Sequence, residues 1–298
     1  MIENYQISYL TAGRDLIKQQ TDAPSQQDPV IFAHPNYESA ATSAQPVTSE
    51  SSRRSVDTQS LKFNPLAATA EEAAAIAPLL SNAVVYTDNQ ATENSLKQVN
   101  APSILHIATH GFFLPDVPFV VPDNSDSRRA AAFEVAPLQV ENQIAPNNLE
   151  NPLLRSGLAL AGVNSRSSGG EDGIFTALEA SSLDLQGTQL VVLSACETGV
   201  GAASSGEGVY GLRRAFAVAG TESQIMSLWQ VDDYGTSALM KLFYENLATK
   251  GQGRSEALRN AQLEMLNSKG VYSDPYYWSS FIFSGDWRPL QSGHTDSL

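Results

Sequence analysis

One cysteine, Cys196, is the only thiol in 298 residues. No intrachain disulfide can form, and no metal site built from several thiolates can exist. Long apolar runs are missing too. None approaches the length needed to cross a bilayer, and the opening MIENYQISYL has neither a basic leader nor an apolar signal core. The expectation is a soluble, cytoplasmic chain with no membrane partner. Basic residues are scarce, 18 against 32 acidic ones, giving a net charge of −14. Such a surface repels phosphate backbones, and no Lys/Arg cluster overrides it locally, so nucleic acid is excluded as a partner. GxxxxGK[ST], GxSxG and HExxH are all absent, which disfavours a P-loop, a serine α/β-hydrolase and a zincin. No cofactor is expected. No internal repeat is present either, so the chain is not itself a solenoid.

What is present reads as a globular core, with 42% hydrophobic residues. Short runs rich in Val and Ile alternate with helix-length amphipathic stretches. Strands are predicted at Pro29–Ala33, Ala83–Thr87, Ile104–Thr109, Leu190–Ala195, Gln224–Trp229 and Phe281–Ser284. Helices are predicted at Ala67–Leu80, Thr92–Val99, Thr176–Leu183, Val209–Ala219, Thr236–Leu247 and Ser255–Leu266. The runs near 105 and 192 are apolar at successive positions, as strands covered on both faces require. The fold class that follows is α/β: an open, mostly parallel sheet flanked by helices on both faces. Residues 1–290 form one domain in this reading, with long polar loops at 36–60 and 115–151 and a flexible tail at 291–298.

Two segments carry chemistry. In Leu105-His106-Ile107-Ala108-Thr109-His110-Gly111 a buried strand delivers His110 at its end, followed at once by glycine. In Val191-Val192-Leu193-Ser194-Ala195-Cys196-Glu197 another strand ends on the lone thiol. Sites in open α/β sheets assemble at the C-terminal ends of strands. A thiol needs a neighbouring base to react near neutral pH, and His110 is the candidate. Taken alone, Cys196 reads as a small buried hydrophobe and His110 as a satisfied polar group; together at two strand ends they favour a dyad. Gly111 permits close backbone approach, and its N–H is a candidate oxyanion donor. His106 reads differently. Four residues before His110 along a strand, it lies about 13 Å away, too far for a shared metal, and is expected to be a packed, hydrogen-bonded core histidine. No metal site is expected.

LHIATHGFF and VVLSACETG resemble the two signatures of CHAT domains, relatives of caspases and separase. NPLLRSGLALAG at 151–162, DGIFTALEASSLDL at 172–185, GEGVYGLRRAF at 206–216, SLWQVDD at 227–233 and YYWSSFIFSGDW at 276–287 resemble the same family at similar spacings, as does ENYQISYLTAGRDLI near the start. The resemblance implies a caspase-like cysteine endopeptidase acting on a protein or peptide substrate, with Cys196 as nucleophile and His110 as general base. It places the oxyanion against the backbone N–H groups of Gly111 and Cys196, and requires no third catalytic acid. SLWQVDDYG is similar to the separase stretch that gives an acidic wall to a pocket for basic side chains, so Asp233, and next Asp232, become candidate substrate-binding residues. The competing reading is that this Asp pair caps the helix starting near Tyr234. Glu207 and Asp172 read as structural.

Family members normally carry a further strand-bearing segment ahead of the part matching ENYQISY, often preceded by tetratricopeptide repeats. The resemblance therefore implies a missing N-terminal region, or a partner bearing tetratricopeptide repeats, and an unpaired sheet edge. The alternative function is a non-catalytic, truncated CHAT interaction or signalling module. A caspase-type preference for Asp is a lesser alternative, needing pocket arginines that the sequence does not place.

Overall fold

The computed structural model describes residues 1–10, 13, 15–18, 23–38, 58, 61–114, 151–194, 196–197, 207–229 and 231–291, with backbone only at 17–18, 196–197 and 207–210. Its strands are β1 (Val30–Pro35), β2 (Val84–Asp88), β3 (Ile104–Ala108), β4 (His110–Phe113), β5 (Ser156–Ala159), β6 (Ile174–Thr176), β7 (Leu190–Leu193), β8 (Cys196–Glu197), β9 (Ser223–Ser227) and β10 (Phe281–Gly285). Its α-helices are α1 (Asp15–Lys18), α2 (Ala67–Ile76), α3 (Glu93–Lys97), α4 (Ala177–Ala180), α5 (Glu207–Ala219), α6 (Asp233–Tyr244) and α7 (Arg254–Asn267).

Six strands form the main sheet in the order β10-β9-β7-β3-β1-β2. All neighbours run parallel except β10, which is antiparallel to β9. The alternation of side chains along each strand sorts them into two cores. Ile31, Ala33, Ile104, Ala108, Leu190, Val192 and Ile225 face one side and meet α2, α6 and α7. Val30, Phe32, Leu105, Ile107, Val191, Leu193 and Met226 face the other and meet α3, α4 and α5. This is the helix–sheet–helix sandwich that the continuous apolar runs imply. Every residue of β3 and β7 is buried, as central strands must be.

A second, four-stranded sheet in the order β6-β5-β4-β8 was not expected. The predicted strand Leu190–Ala195 stops at Leu193, and Ile104–Thr109 stops at Ala108; each chain then continues into the small sheet as β8 and β4. Gly157 of β5 has a specific reason to be glycine. A Cβ there would lie 2.5 Å from the Phe175 carbonyl oxygen and 2.8 Å from the Phe112 ring, so the strand passes under that ring only without a side chain.

Helix starts match local chemistry. Thr92 caps α3, Thr176 forms a capping box with Glu179, and Asp232 caps α6. At the free edge of β10, the Tyr9 N–H donates to the Phe283 carbonyl and the Gly285 N–H to the Tyr9 carbonyl, so residues near Tyr9 cover that edge. The expected loops at 36–60 and 115–151 and the tail at 291–298 lie almost entirely outside the described residues. No described helix is long and apolar enough to cross a membrane.

At the opposite end from the small sheet, Arg254 is 1% exposed and ties three elements together. It contacts Asp286 at 2.9 Å and Glu222 at 3.0 Å, and donates to the Arg288 and Gln189 carbonyls. Removing one partner of such a buried pair is costly because the other charge is stranded; here Arg288 also reaches Asp286, which softens the loss. Arg254→Ala is expected to lower the unfolding free energy by about 3 kcal/mol, measured by urea denaturation.

Candidate active site at the junction of the two sheets

β3 and β7 pair with Ile104 opposite Leu190 and Ile107 opposite Leu193. Beyond the break, β4 and β8 pair with His110 opposite Cys196 and Gly111 opposite Glu197. Both ladders have the same offset, 193 minus 107 and 196 minus 110 each giving 86. The pairing thus passes from one sheet to the next without slipping, and it sets the backbones of His110 and Cys196 side by side, about 4.8 Å apart at the usual strand spacing.

The break is pinned at Thr109. Its hydroxyl donates to the Ala159 carbonyl of β5 and accepts from the Tyr37 hydroxyl at 3.0 Å. The phenol oxygen in turn faces the backbone of His110. Burial pushes the Tyr37 hydroxyl well above the usual phenol range, so it stays protonated and acts as a fixed donor. Just past the end of β7, the Ser194 N–H donates to the Ile107 carbonyl and keeps the ladder closed up to the crossing.

The His110 side chain is 6% exposed and packs against two aromatic rings that also touch each other, Tyr37 at 5.2 Å and Phe63 at 5.6 Å between centroids. Its Nε2 is 2.7 Å from the Asn64 carbonyl oxygen. A carbonyl only accepts, so the proton sits on Nε2 and Nδ1 presents a lone pair. Nδ1 is buried and has no partner among the described residues. Burial pulls the imidazole below the ordinary histidine range, outweighing the opposite influence of the Asn64 carbonyl. The ring is therefore a neutral base whose Nδ1 acceptor no described residue occupies. Asn64 is followed by Pro65, which disfavours a helical conformation in the residue before it.

The other expected residues fall as follows. Gly111 lies inside β4 between Leu158 of β5 and Glu197 of β8 and is engaged by a neighbour. Asp232 caps α6, its carboxylate accepting from the Gly235 N–H at 2.8 Å, as the capping reading holds. Asp233, the first residue of α6, is half-buried. Its carboxyl group is pushed up by burial first, then by the nearby Asp232 and Glu72 carboxyls. The Asp233 charge is also felt at Tyr37, which places it on the histidine side of the molecule. Asp172 accepts from the Ile174 N–H as a turn residue. The side chain of Glu207 lies outside the described residues. His106 is fully buried and engaged on both ring nitrogens, by Tyr244 and Glu72. Among the described residues, no group of three His, Cys, Asp or Glu is placed to hold a metal.

Tyr37, Phe63 and Asn64 were not anticipated. Tyr37 falls inside the predicted loop at 36–60, and Phe63 and Asn64 follow it.

A buried imidazole just beyond β3, with a cysteine in register beside it just beyond β7, sits on an α/β sheet flanked by helices on both faces. The CHAT domain family matches residues 1–286, and the chain belongs to it. No curated protein matches the sequence. Among solved structures, similar ones are the Arg specific cysteine proteinase gingipain R (RgpB), with a TM-score of 0.49, 10% identity and coverage of 94% of this chain and 52% of that one. Another is the complex of Porphyromonas gingivalis RgpB pro- and mature domains, with a TM-score of 0.47, 10% identity and coverage of 94% and 53%. The chain spans about half the length of these proteinases.

The lowered basicity of His110 has a checkable sign. Its ring is expected to titrate below about 6.5, the unperturbed value, with more than half of it neutral at that pH. NMR of the ring nitrogens in labelled protein reads both the midpoint and the Nε2–H tautomer.

Proposed function

We propose that this CHAT domain is a cysteine endopeptidase in which Cys196 attacks a peptide carbonyl and His110 moves the protons. The observation behind it is the unslipped register that sets Cys196 beside His110, together with an acceptor at Nδ1 that has no partner among the described residues. In the first step the thiol proton passes to Nδ1 while sulfur bonds to the carbonyl carbon, giving a tetrahedral oxyanion. Collapse breaks the C–N bond; the leaving amine takes the proton from His110, and a thioester remains. Water then attacks, His110 accepts its proton, and breaking the C–S bond frees the acid and returns the thiol. Because burial disfavours the imidazolium, His110 works as a general base from the neutral pair and not as half of a resting ion pair. The oxyanion is assigned to the backbone N–H groups of Gly111 and Cys196.

For substrate choice, we assign Asp233 as the group that recognises a basic side chain before the scissile bond. A carboxyl group already raised by burial and by like charges gains most from a guanidinium or ammonium partner. Asp232, committed to capping α6, is the lesser contributor.

His110→Ala and Cys196→Ala are each expected to abolish cleavage of an arginyl peptide and labelling by an electrophilic arginyl probe, while circular dichroism stays native. Absence of labelling at Cys196 in folded wild-type protein, full-length, would point to a non-catalytic module. The acid limb of activity is expected below pH 6.5, because protonated His110 cannot take the thiol proton and its pKa is lowered. Asp233→Asn is expected to reduce kcat/KM for arginyl substrates about tenfold to a hundredfold, the size of one charge-assisted hydrogen bond, with a smaller effect on neutral ones.

A further inference from the structure

Beneath the junction lies a second polar cluster that the proposed chemistry does not use. Glu72, on the buried face of α2, is 1% exposed, whereas its neighbour Glu71 is exposed. One carboxyl oxygen accepts from the Ser194 hydroxyl at 3.0 Å. The other lies 2.9 Å from His106 Nε2, close enough for an ion pair although the N–H direction is off the hydrogen-bond axis. On its far side His106 Nδ1 meets the Tyr244 hydroxyl at 3.1 Å. Tyr244 is fully buried, and its hydroxyl is held protonated by that burial and by the Glu72 charge. The cluster thus joins α2, β3, α6 and the residue following β7.

Placing a carboxyl group in the apolar layer between helices and sheet carries a large desolvation cost. Packing alone gives no reason to keep it, since an apolar residue of like size would fill the space at least as well. What the carboxyl group does touch is informative. Ser194 stands two residues before Cys196, where the chain has left β7 and not yet entered β8. His106 stands four residues before His110 on β3, and the Asp233 carboxyl feels the same charge. Thr109 pins one strand to the small sheet through its hydroxyl. Ser194 is the matching hydroxyl on the other strand, and its anchor is Glu72.

We infer that Glu72 is a positioning residue for the dyad: by holding the Ser194 hydroxyl and the His106 ring together, its carboxyl group fixes the heights at which the two strands leave the main sheet, and so the alignment of Cys196 with His110. This rests on the dyad reading above, and the test separates the two. The thiol is the only one in the chain, so intact mass after iodoacetamide treatment at pH 7 gives its alkylation rate directly, without a known substrate. His110→Ala is expected to slow alkylation to the rate of an unassisted thiol. Glu72→Gln keeps the shape and loses the charge; it is expected to slow alkylation about tenfold or more, since a small misplacement of reacting groups is costly, and to add nothing in the His110→Ala background. A role limited to stability would lower Tm and leave the rate of the folded protein unchanged. Ser194→Ala removes one hydrogen bond and is expected to act in the same direction by about threefold; it decides the matter if Glu72→Gln does not fold by circular dichroism. If His110→Ala leaves the rate unchanged, the dyad and this inference fall together. If His110→Ala slows alkylation but folded Glu72→Gln, or Ser194→Ala in its place, reacts like wild type, the positioning role alone is refuted.

Discussion

The arrangement depends on two parallel strands keeping step while they change sheets. β3 and β7 are buried on both faces, so their register is fixed by apolar side chains that have nowhere else to go. A slip by one residue would turn Leu105 and Ile107 from one helical layer into the other. The energy that forbids this slip is spread over the whole core. It is this distributed constraint that delivers a histidine and a cysteine, 86 residues apart, to matching positions beyond the break. The local hydroxyls of Thr109 and Ser194 then have only to hold the crossing itself.

The main sheet was legible because its strands are long enough to show their pattern and are bounded by recognisable caps. Thr92, Thr176 and Asp232 mark helix starts in the sequence and cap helices in the structure. His110 and Cys196 stood out for a related reason: each follows an apolar run that cannot end anywhere but at a helix-lined rim. His106 was correctly separated from them by strand spacing alone.

The small sheet was hidden because β5 and β6 have four and three residues and β8 only two, too few for alternation to register. Gly157 weakened the signal further, since it is there to let Phe112 lie across it. Tyr37, Phe63 and Asn64 escaped notice because they come from the edges of a polar stretch without periodicity, and act through rings and a carbonyl rather than through a recognisable motif. Glu72 was invisible for another reason. In AATAEEAAAI nothing in composition says which of two adjacent acids turns inward; only the face presented by α2 to β3 decides that.

The proton on His110 is steered by the peptide carbonyl at position 64, an atom that every amino acid supplies. An alanine scan would therefore pass over this contact in silence, and sequence drift at that position is free so long as the chain keeps its path into Pro65. Whatever tunes this imidazole is written in the route of the backbone, where only changes that redirect the loop, such as replacing the proline or altering the segment's length, can reach it.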